Sequence, residues 1–165
     1  MKKIFSEKVA RIISKKKRLE KELNIKIKNK GKEVFIEGSS EEEYIAEKVI
    51  EALNFNFPFE IAMLIKNENF SFETLNIKDY TKRHDLKIIR ARIIGKGGKT
   101  LKTLNELTKC YFELEDNHIG IIGDVEYIKN AEEAVIAIIK GAKQSNVYSF
   151  LEKHQQKPVV DLGLK

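Results

Sequence analysis

The chain of 165 residues has no tryptophan, one cysteine, two prolines and three histidines. The single Cys110 excludes an internal disulfide and a cysteine-based zinc site, and we expect it to be a buried strand thiol. The histidines are far apart in the sequence and offer neither metal-ligand nor catalytic-triad spacing. No apolar run approaches the ~18 residues of a membrane-spanning helix. We therefore expect a protein that is not an enzyme, needs no cofactor or metal and does not span a membrane.

The amino terminus also lacks the apolar core of a secretory signal peptide, because charged residues occur throughout residues 1–8. This absence predicts a cytoplasmic protein. Hydrophobic residues make up 42% of the chain, which is enough for folded cores, and the length suits one ordinary domain or two small ones. The net charge of +6 is modest, so its distribution is more informative than its value.

A glycine-rich motif stands at the centre of residues 90–108, which read RARIIGKGGKTLKTLNELT. Apolar residues at helical spacing on both sides predict two short helices joined by a tight turn. A G-x-x-G turn lets a nucleic-acid backbone come close, because Gly95 and Gly98 carry no side chain. Lys96 at the tip supplies charge for a phosphate, and the start of the next helix adds a weak positive end.

Two other interpretations of this turn are a nucleotide-binding P-loop and a plain helix corner. The P-loop pattern G-x-x-x-x-G-K-[ST] fits at Gly98 and Lys99, but Ile93 occupies the position of its first glycine. Arg90 and Arg92 also interrupt the buried strand that such a loop follows. A corner whose glycines serve only the turn is the simpler alternative, and the elements downstream distinguish it from a binding loop.

The residues after the loop predict a small sheet and a closing helix. Residues 111–114 and 119–122 have the composition of two strands around a turn at residues 116–118. Asp124 is the expected N-cap of a long amphipathic helix. Upstream of the loop, residues 86–89 are predicted to form the third strand. The predicted order is strand, helix, G-x-x-G, helix, strand, strand, helix.

This order, together with the sequence IIGKGG before a leucine-rich helix, resembles a KH domain of the eukaryotic type over roughly residues 86–142. The resemblance implies a loop that clamps about four single-stranded nucleotides. It places the bases in a groove between the second helix and the strand at residues 111–114. The residues predicted to contact RNA are Arg90, Arg92, Ile94, Gly95, Lys96, Gly97, Gly98, Lys99 and Lys102.

A repeat relates the first part of the chain to this domain. Residues 9–15 match residues 90–96 at five of seven positions with an offset of 81, and residues 36–38 align with 121–123 at an offset of 85. The offsets differ by four residues, about one helical turn. The first copy is therefore predicted to have the same fold with a turn missing after its loop.

We predict an α+β protein of two tandem eukaryotic-type (type I) KH domains, each a three-stranded antiparallel sheet packed on three helices. The first, degenerate domain covers residues 1–80, including an aromatic inter-domain segment at about 54–80. The second covers 81–156, and 157–165 form a flexible tail. Base stacking is one interpretation of the aromatic segment, but packing between the domains is favoured. Its aromatic residues are Phe55, Phe57, Phe59, Phe70 and Phe72.

The first loop departs from the family pattern, because Ser14, Lys16 and Lys17 stand where the second loop has glycines. Residues 1–32 nevertheless hold 13 Lys or Arg against 3 acids, and residues 86–109 hold 7 against 1. Both loops thus lie in basic stretches, which favours an RNA track. The first copy is either structural or contacts phosphates without shape selection. The residues for the second case are Lys15, Lys16, Lys17 and Arg18.

The end of the second copy makes the resemblance narrower. Residues 141–152 read GAKQSNVYSFLE, similar to the ending of an archaeal small-subunit ribosome assembly factor related to the eukaryotic partner of Nob. Gln144 stands where that family frequently has histidine. The resemblance implies binding near the 3′ end of small-subunit ribosomal RNA. It also implies contact with the endonuclease Nob, which trims that end, and with the alpha subunit of translation initiation factor two.

We expect a monomer that binds single-stranded RNA. The alternative is a KH module of transcription elongation or translation initiation. The paired KH domains of NusA have the other strand order, whereas here both later strands follow the helix pair, which argues against the elongation alternative.

Overall fold

A computed structural model describes residues 1–155, and the tail predicted at 157–165 lies outside them. The first unit consists of β1 (Lys2–Phe5), α1 (Val9–Ser14), α2 (Lys16–Leu23), β2 (Lys26–Lys30), β3 (Glu33–Glu37) and α3 (Ser40–Asn54). The second unit consists of β4 (Phe70–Asn76), α5 (Leu86–Ile94), α6 (Lys99–Thr108), β5 (Tyr111–Glu115), β6 (His118–Asp124), α7 (Ile128–Ile139) and α8 (Gln144–Lys153). Residues 55–69, here called the connecting segment, contain the short helix α4 (Phe59–Ala62).

The two units share one strand order and, up to the helix that follows the third strand, one sequence of elements. Their antiparallel sheets have the orders β1-β3-β2 and β4-β6-β5. Asn24 and Lys109 end α2 and α6 in the left-handed conformation, with φ of 54° and 59°. Asn24 follows Ser14 by ten residues and Lys109 follows Gly95 by fourteen, so the predicted four-residue deletion falls between these points. The mixed fold with antiparallel sheets agrees with the prediction.

The strand predicted at residues 86–89 is wrong, because these residues form the first turn of α5. The third strand of the second sheet is β4, which pairs with β6 so that Phe72 lies opposite Ile122. A short apolar run does not distinguish a helix from a strand, and here α5 continues the helical period to Ile94. The second unit also has a fourth helix, α8, whose Val147 and Leu151 are buried.

The start of α7 differs from the prediction. β6 continues through Asp124, whose Oδ1 accepts the Glu126 amide at 2.8 Å, and α7 begins only at Ile128. At α3 the N-cap is Ser39, which with Glu42 forms a reciprocal capping box. Asp124 therefore turns the backbone into the loop that precedes α7 and does not cap that helix.

The outer face of the second sheet, opposite its helices, packs on the connecting segment. Phe55 and Phe57 meet Phe72 edge to face, with ring centroids 5.7 and 5.9 Å apart. A Cβ at Gly120 on the same face would lie 2.9 Å from ring carbons of both Phe55 and Phe57. Glu115 accepts from Asn56 at 2.9 Å and pairs with Lys8 at 3.0 Å. The aromatic residues therefore join the two units through the sheet.

Candidate nucleic-acid interface

The glycine-rich loop connects α5 and α6 through three glycines in the left-handed half of backbone space. Gly95, Gly97 and Gly98 have φ values of 77°, 62° and 78°. The Gly98 amide donates to the Gly95 carbonyl at 3.1 Å, which closes the turn. Residues with a Cβ rarely adopt these angles, so the glycines set the course of the backbone.

The glycines do not all serve the same purpose. A Cβ on Gly95 would lie only 2.6 Å from the amide nitrogen of Thr100, so this glycine lets the first turn of α6 pack against the end of α5. Gly97 and Gly98 face open space, with no atom within 4 Å of an added Cβ. We expected a nucleic-acid backbone to come close at both Gly95 and Gly98. The space beside Gly97 and Gly98 is open to it, whereas the space beside Gly95 is filled by Thr100.

Three of the predicted lysines have side chains that are available to a ligand. Lys96, Lys99 and Lys102 are exposed and lie at the loop tip and on the first turns of α6. Within residues 1–155 none of them forms a salt bridge with a carboxylate. Three unpaired cations beside two open glycines form a local positive surface suited to phosphates.

The two predicted arginines are engaged inside the protein instead. Arg92 donates to the carbonyls of Ile138 at 2.9 Å and Ala142 at 2.6 Å, which lie at the end of α7. Arg90 donates to the Asp116 carbonyl at 3.3 Å, in the turn between β5 and β6. These contacts fasten α5 to its neighbours, a role that sequence spacing alone did not indicate.

A groove between α6 and β5 occupies the position predicted for the bases. It holds a cavity of about 280 Å³ next to the lysine-bearing face of α6. Ile94 remains 38% exposed, whereas Ile93 and Leu104 are fully buried in the core. Of the apolar residues around the loop, Ile94 is therefore accessible to a ligand. The cavity is lined by Leu101, Lys102 and Asn105 of α6, by Tyr111, Phe112 and Glu113 of β5, and by Phe57, Pro58 and Ile61.

The connecting segment forms a third wall of this groove, which the sequence prediction missed. Pro58 and Ile61 line the cavity together with α6 and β5, while Phe57 is 1% exposed and belongs to the core. Burial raises the pKa of Glu113 above its ordinary value, and the nearby Arg11 opposes that rise. A groove of mixed apolar and amide character suits the faces and edges of unpaired bases.

The first loop has a different geometry. Lys15 alone separates α1 from α2, and its φ of −109° is ordinary for a residue with a side chain. Arg18 stacks over the Phe59 ring at 4.3 Å and bonds Glu60 at 3.2 Å, and Lys15 lies 5.5 Å from the same ring. Two of the four predicted cations thus contact α4. Lys16 and Lys17 form no salt bridge with the part of the chain that the structure describes.

Three further features bear on the expected chemistry. Cys110 is fully buried, and burial raises the pKa of its thiol to about 11. No group of three or more His, Cys, Asp or Glu within residues 1–155 is arranged to hold a metal ion. Among the same residues, no helix is both long and apolar enough to cross a bilayer.

Comparison with protein-family models finds one match, described as "Eukaryotic type KH-domain (KH-domain type I)" and specific to the second KH domain of PNO1, over residues 71–156. A KH domain-containing protein of Methanocaldococcus jannaschii is 30% identical across 94% of this chain and 73% of its own length. The pre-rRNA-processing protein PNO1 of Eremothecium gossypii is 36% identical, but the match covers 53% of this chain and 34% of that protein.

Two solved structures from Pyrococcus horikoshii share the fold. Dim2p superimposes with a TM-score of 0.84 at 25% identity, covering 92% of this chain and 98% of that one. A complex of a/eIF2alpha, aDim2p and rRNA contains a chain that also matches with a TM-score of 0.84 at 25% identity, covering 93% and 92%. The similarity therefore extends over both units, although the family model matches the second unit only.

Proposed function

The chain belongs to the PNO1 group of eukaryotic-type KH domains, and on that premise we propose that it is a single-stranded RNA-binding protein of small-subunit ribosome assembly. The RNA backbone passes along residues 95–98, and its bases enter the groove between α6 and β5. The protein acts by binding and catalyses no reaction.

The observation that supports this proposal most strongly is the combination of loop, lysines and groove in one place. Gly97 and Gly98 leave an open path, and Lys96 and Lys99 stand beside it without acidic partners in the described chain. The groove then continues the path toward β5. Phosphates are bound by cations at a place where the nucleic-acid backbone can come close, and bases are bound in an apolar cleft with polar edges. The loop meets the first requirement and the adjacent groove meets the second.

The relatives support a proposal for the ligand and the partners. PNO1 proteins are named for pre-rRNA processing, and the aDim2p structure contains rRNA together with a/eIF2alpha. We infer that this chain binds ribosomal RNA near the 3′ end of the small subunit and contacts the alpha subunit of initiation factor two. Contact with the endonuclease Nob, and action as a monomer in the cytoplasm, belong to the same proposal.

We further propose that the first unit is a degenerate KH domain. It repeats the strand order and helix order of the second unit, and its loop lacks the glycines. The contacts of Arg18 with Phe59 and Glu60 support a structural role for that loop. The first unit then ends near residue 54 and the second begins with β4 at Phe70, so that the aromatic residues between them belong to the junction.

The proposal is tested by placing aspartates in the loop. Lys96→Asp with Gly97→Asp replaces one cation and adds two negative charges where the backbone must pass, and like-charge repulsion at such a contact costs several kcal/mol. The affinity for a single-stranded RNA taken from the 3′ end of small-subunit ribosomal RNA should fall at least about 100-fold. Both positions are exposed, but an aspartate at the positive φ of Gly97 is strained, so the free energy of unfolding should fall by about 1–2 kcal/mol.

The chain offers a matched control at the end of α7. Lys140 and Gly141 are also exposed neighbours, and Gly141 has a φ of 98° and open space around it. Lys140→Asp with Gly141→Asp makes the same change in net charge and should leave RNA affinity within about twofold of wild type, since surface charge away from the contact has little effect. Wild-type affinity in the loop variant, or an equal loss in the control, would refute the proposed site.

A further inference from the structure

The two sheets differ in what covers the face opposite their helices. In the second sheet that face carries Phe72, Gly120 and Ile122, which contact or adjoin the connecting segment. In the first sheet the alternate residues Ile4, Val34 and Ile36 point into the core. Their neighbours along each strand therefore lie on the opposite face. Within the described chain nothing packs on that face in the way the aromatics pack on the second sheet.

This first outer face, as we call it, combines the exposed ring of Phe5 and the half-buried ring of Phe35 with lysines. Phe5 is 62% exposed, and neither Phe5 nor Phe35 packs against either hydrophobic core. In the strand register Phe35 lies between Lys3 on β1 and Lys28 on β2. The face consists of Lys3, Phe5, Lys26, Lys28, Lys30, Glu33, Phe35 and Glu37.

The lysines of β2 are available to bind an anionic ligand. Lys26, Lys28 and Lys30 are exposed and form no salt bridge with any of residues 1–155. Of the two acids on the face, Glu33 pairs with Lys3 at 3.4 Å. Alternate residues of a strand are about 6.6 Å apart, so the three lysines form a row that can accompany the backbone of an extended single strand.

We propose that the first outer face is a second binding surface for single-stranded RNA, separate from the glycine loop. Bases stack on Phe5 and Phe35, and phosphates lie along Lys26, Lys28 and Lys30. An aromatic ring between rows of cations serves both parts of a nucleotide, as in proteins that bind single strands with little sequence preference. An acidic polypeptide would use the lysines but would have no need of the aromatic rings between them.

The test uses the full chain in which the loop is disabled by Lys96→Asp and Gly97→Asp, and a labelled ten-residue oligouridylate as the probe. Binding by this protein at low salt should persist and should drop about tenfold or more when Lys26, Lys28 and Lys30 are changed to Gln. The salt dependence of binding should flatten by about 2 in slope, since each phosphate contact on a single strand contributes about 0.7.

Two controls separate this surface from general charge and from a protein site. Changing Lys129, Lys140 and Lys153 to Gln removes the same charge from α7 and α8 and should leave residual binding unchanged. Phe5→Leu should weaken it about tenfold, as for loss of a stacked base, while Phe5→Tyr should not. The proposal would be overturned if the loop variant showed no residual binding, or if the control triple lost as much binding as the β2 triple. It would also be overturned if polyglutamate competed as strongly as unlabelled oligouridylate. Because these comparisons concern the first sheet, they remain decisive even if the loop variant binds like wild type.

Discussion

Arg11 and Arg92 occupy equivalent positions in the repeat and make equivalent hydrogen bonds to backbone carbonyls in the structure. Arg92 donates to two carbonyls at the end of α7, and Arg11 donates to the Phe57 carbonyl at 3.0 Å just after α3. Each arginine thus donates hydrogen bonds to carbonyls at or just beyond the end of a helix. From its place near the glycine loop Arg92 is predicted to contact RNA, but an arginine is also suited to donating to carbonyls near a helix end.

We predict that Arg92→Lys destabilises the protein by about 1–2 kcal/mol. A lysine can keep one of the two charge-assisted bonds but not both, since it lacks the planar fork of arginine. Urea unfolding of the variant measures the effect. Lys102→Ala, which removes an exposed cation of α6 without a carboxylate partner, serves as the comparison and should stay within about 0.5 kcal/mol of wild type. Equal stability of Arg92→Lys and wild type would show that the contacts with Ile138 and Ala142 contribute little.

Gln144 links the start of α8 to the loop helix. Its amide donates to Thr100 Oγ1 at 3.0 Å and to the Arg92 carbonyl at 3.2 Å. Thr100 is the residue whose amide lies where a Cβ on Gly95 would stand. Gln144, which replaces the histidine frequent in the family, therefore holds the helices on both sides of the loop and does not line the groove.

At the scale of elements, the packing of the second sheet on the connecting segment determines how the units are joined. The side of β6 that faces Phe55 and Phe57 has no room for a side chain at Gly120. The neighbouring Thr74 of β4, directly opposite Gly120 in the register, is exposed. A contact between two units thus depends on a glycine that lies in the middle of a strand, where glycine is ordinarily unfavourable.

We predict that Gly120→Ala destabilises the protein by about 1–3 kcal/mol, the usual cost of overpacking a filled core. The clash with two aromatic rings outweighs the gain that alanine brings in a strand. Thermal unfolding measures the loss, and hydrogen exchange should increase in residues 55–72. Thr74→Val changes the opposite position on the same face and should be nearly neutral. An alanine variant as stable as wild type would mean that the rings move aside at no cost.

The elements near the loop could be predicted from the sequence because their signals are local. The helical spacing of Leu101 and Leu104 and the glycines fix α6, and the turn between β5 and β6 joins strands only a few residues apart. β4 could not be placed in the same way, since its partner Ile122 lies fifty residues after Phe72. The third wall of the groove depends on the same long-range packing, so Pro58 and Ile61 gave no signal of their own.

At the scale of the whole molecule, the basic stretch of residues 1–32 divides between two surfaces. Part of it lies at the connection of α1 and α2, where Lys15 and Arg18 contact Phe59. Another part lies on β2, where Lys26 and Lys28 face outward on the first sheet. From the charge count along the chain, residues 1–32 are predicted to form one basic track. Strand alternation and helix packing place residues that are close in sequence on different surfaces, which a charge count does not register.

The central claim is that the loop and groove of the second unit hold ribosomal RNA near the 3′ end of the small subunit. Ultraviolet crosslinking of the protein to RNA in its source cells, followed by sequencing of the bound fragments, measures this most directly. The account predicts that fragments from that 3′ end dominate with the wild-type chain and disappear with Lys96→Asp and Gly97→Asp, but not with Lys140→Asp and Gly141→Asp. Fragments spread over messenger RNA, or the same ribosomal fragments recovered with the loop variant, would contradict it.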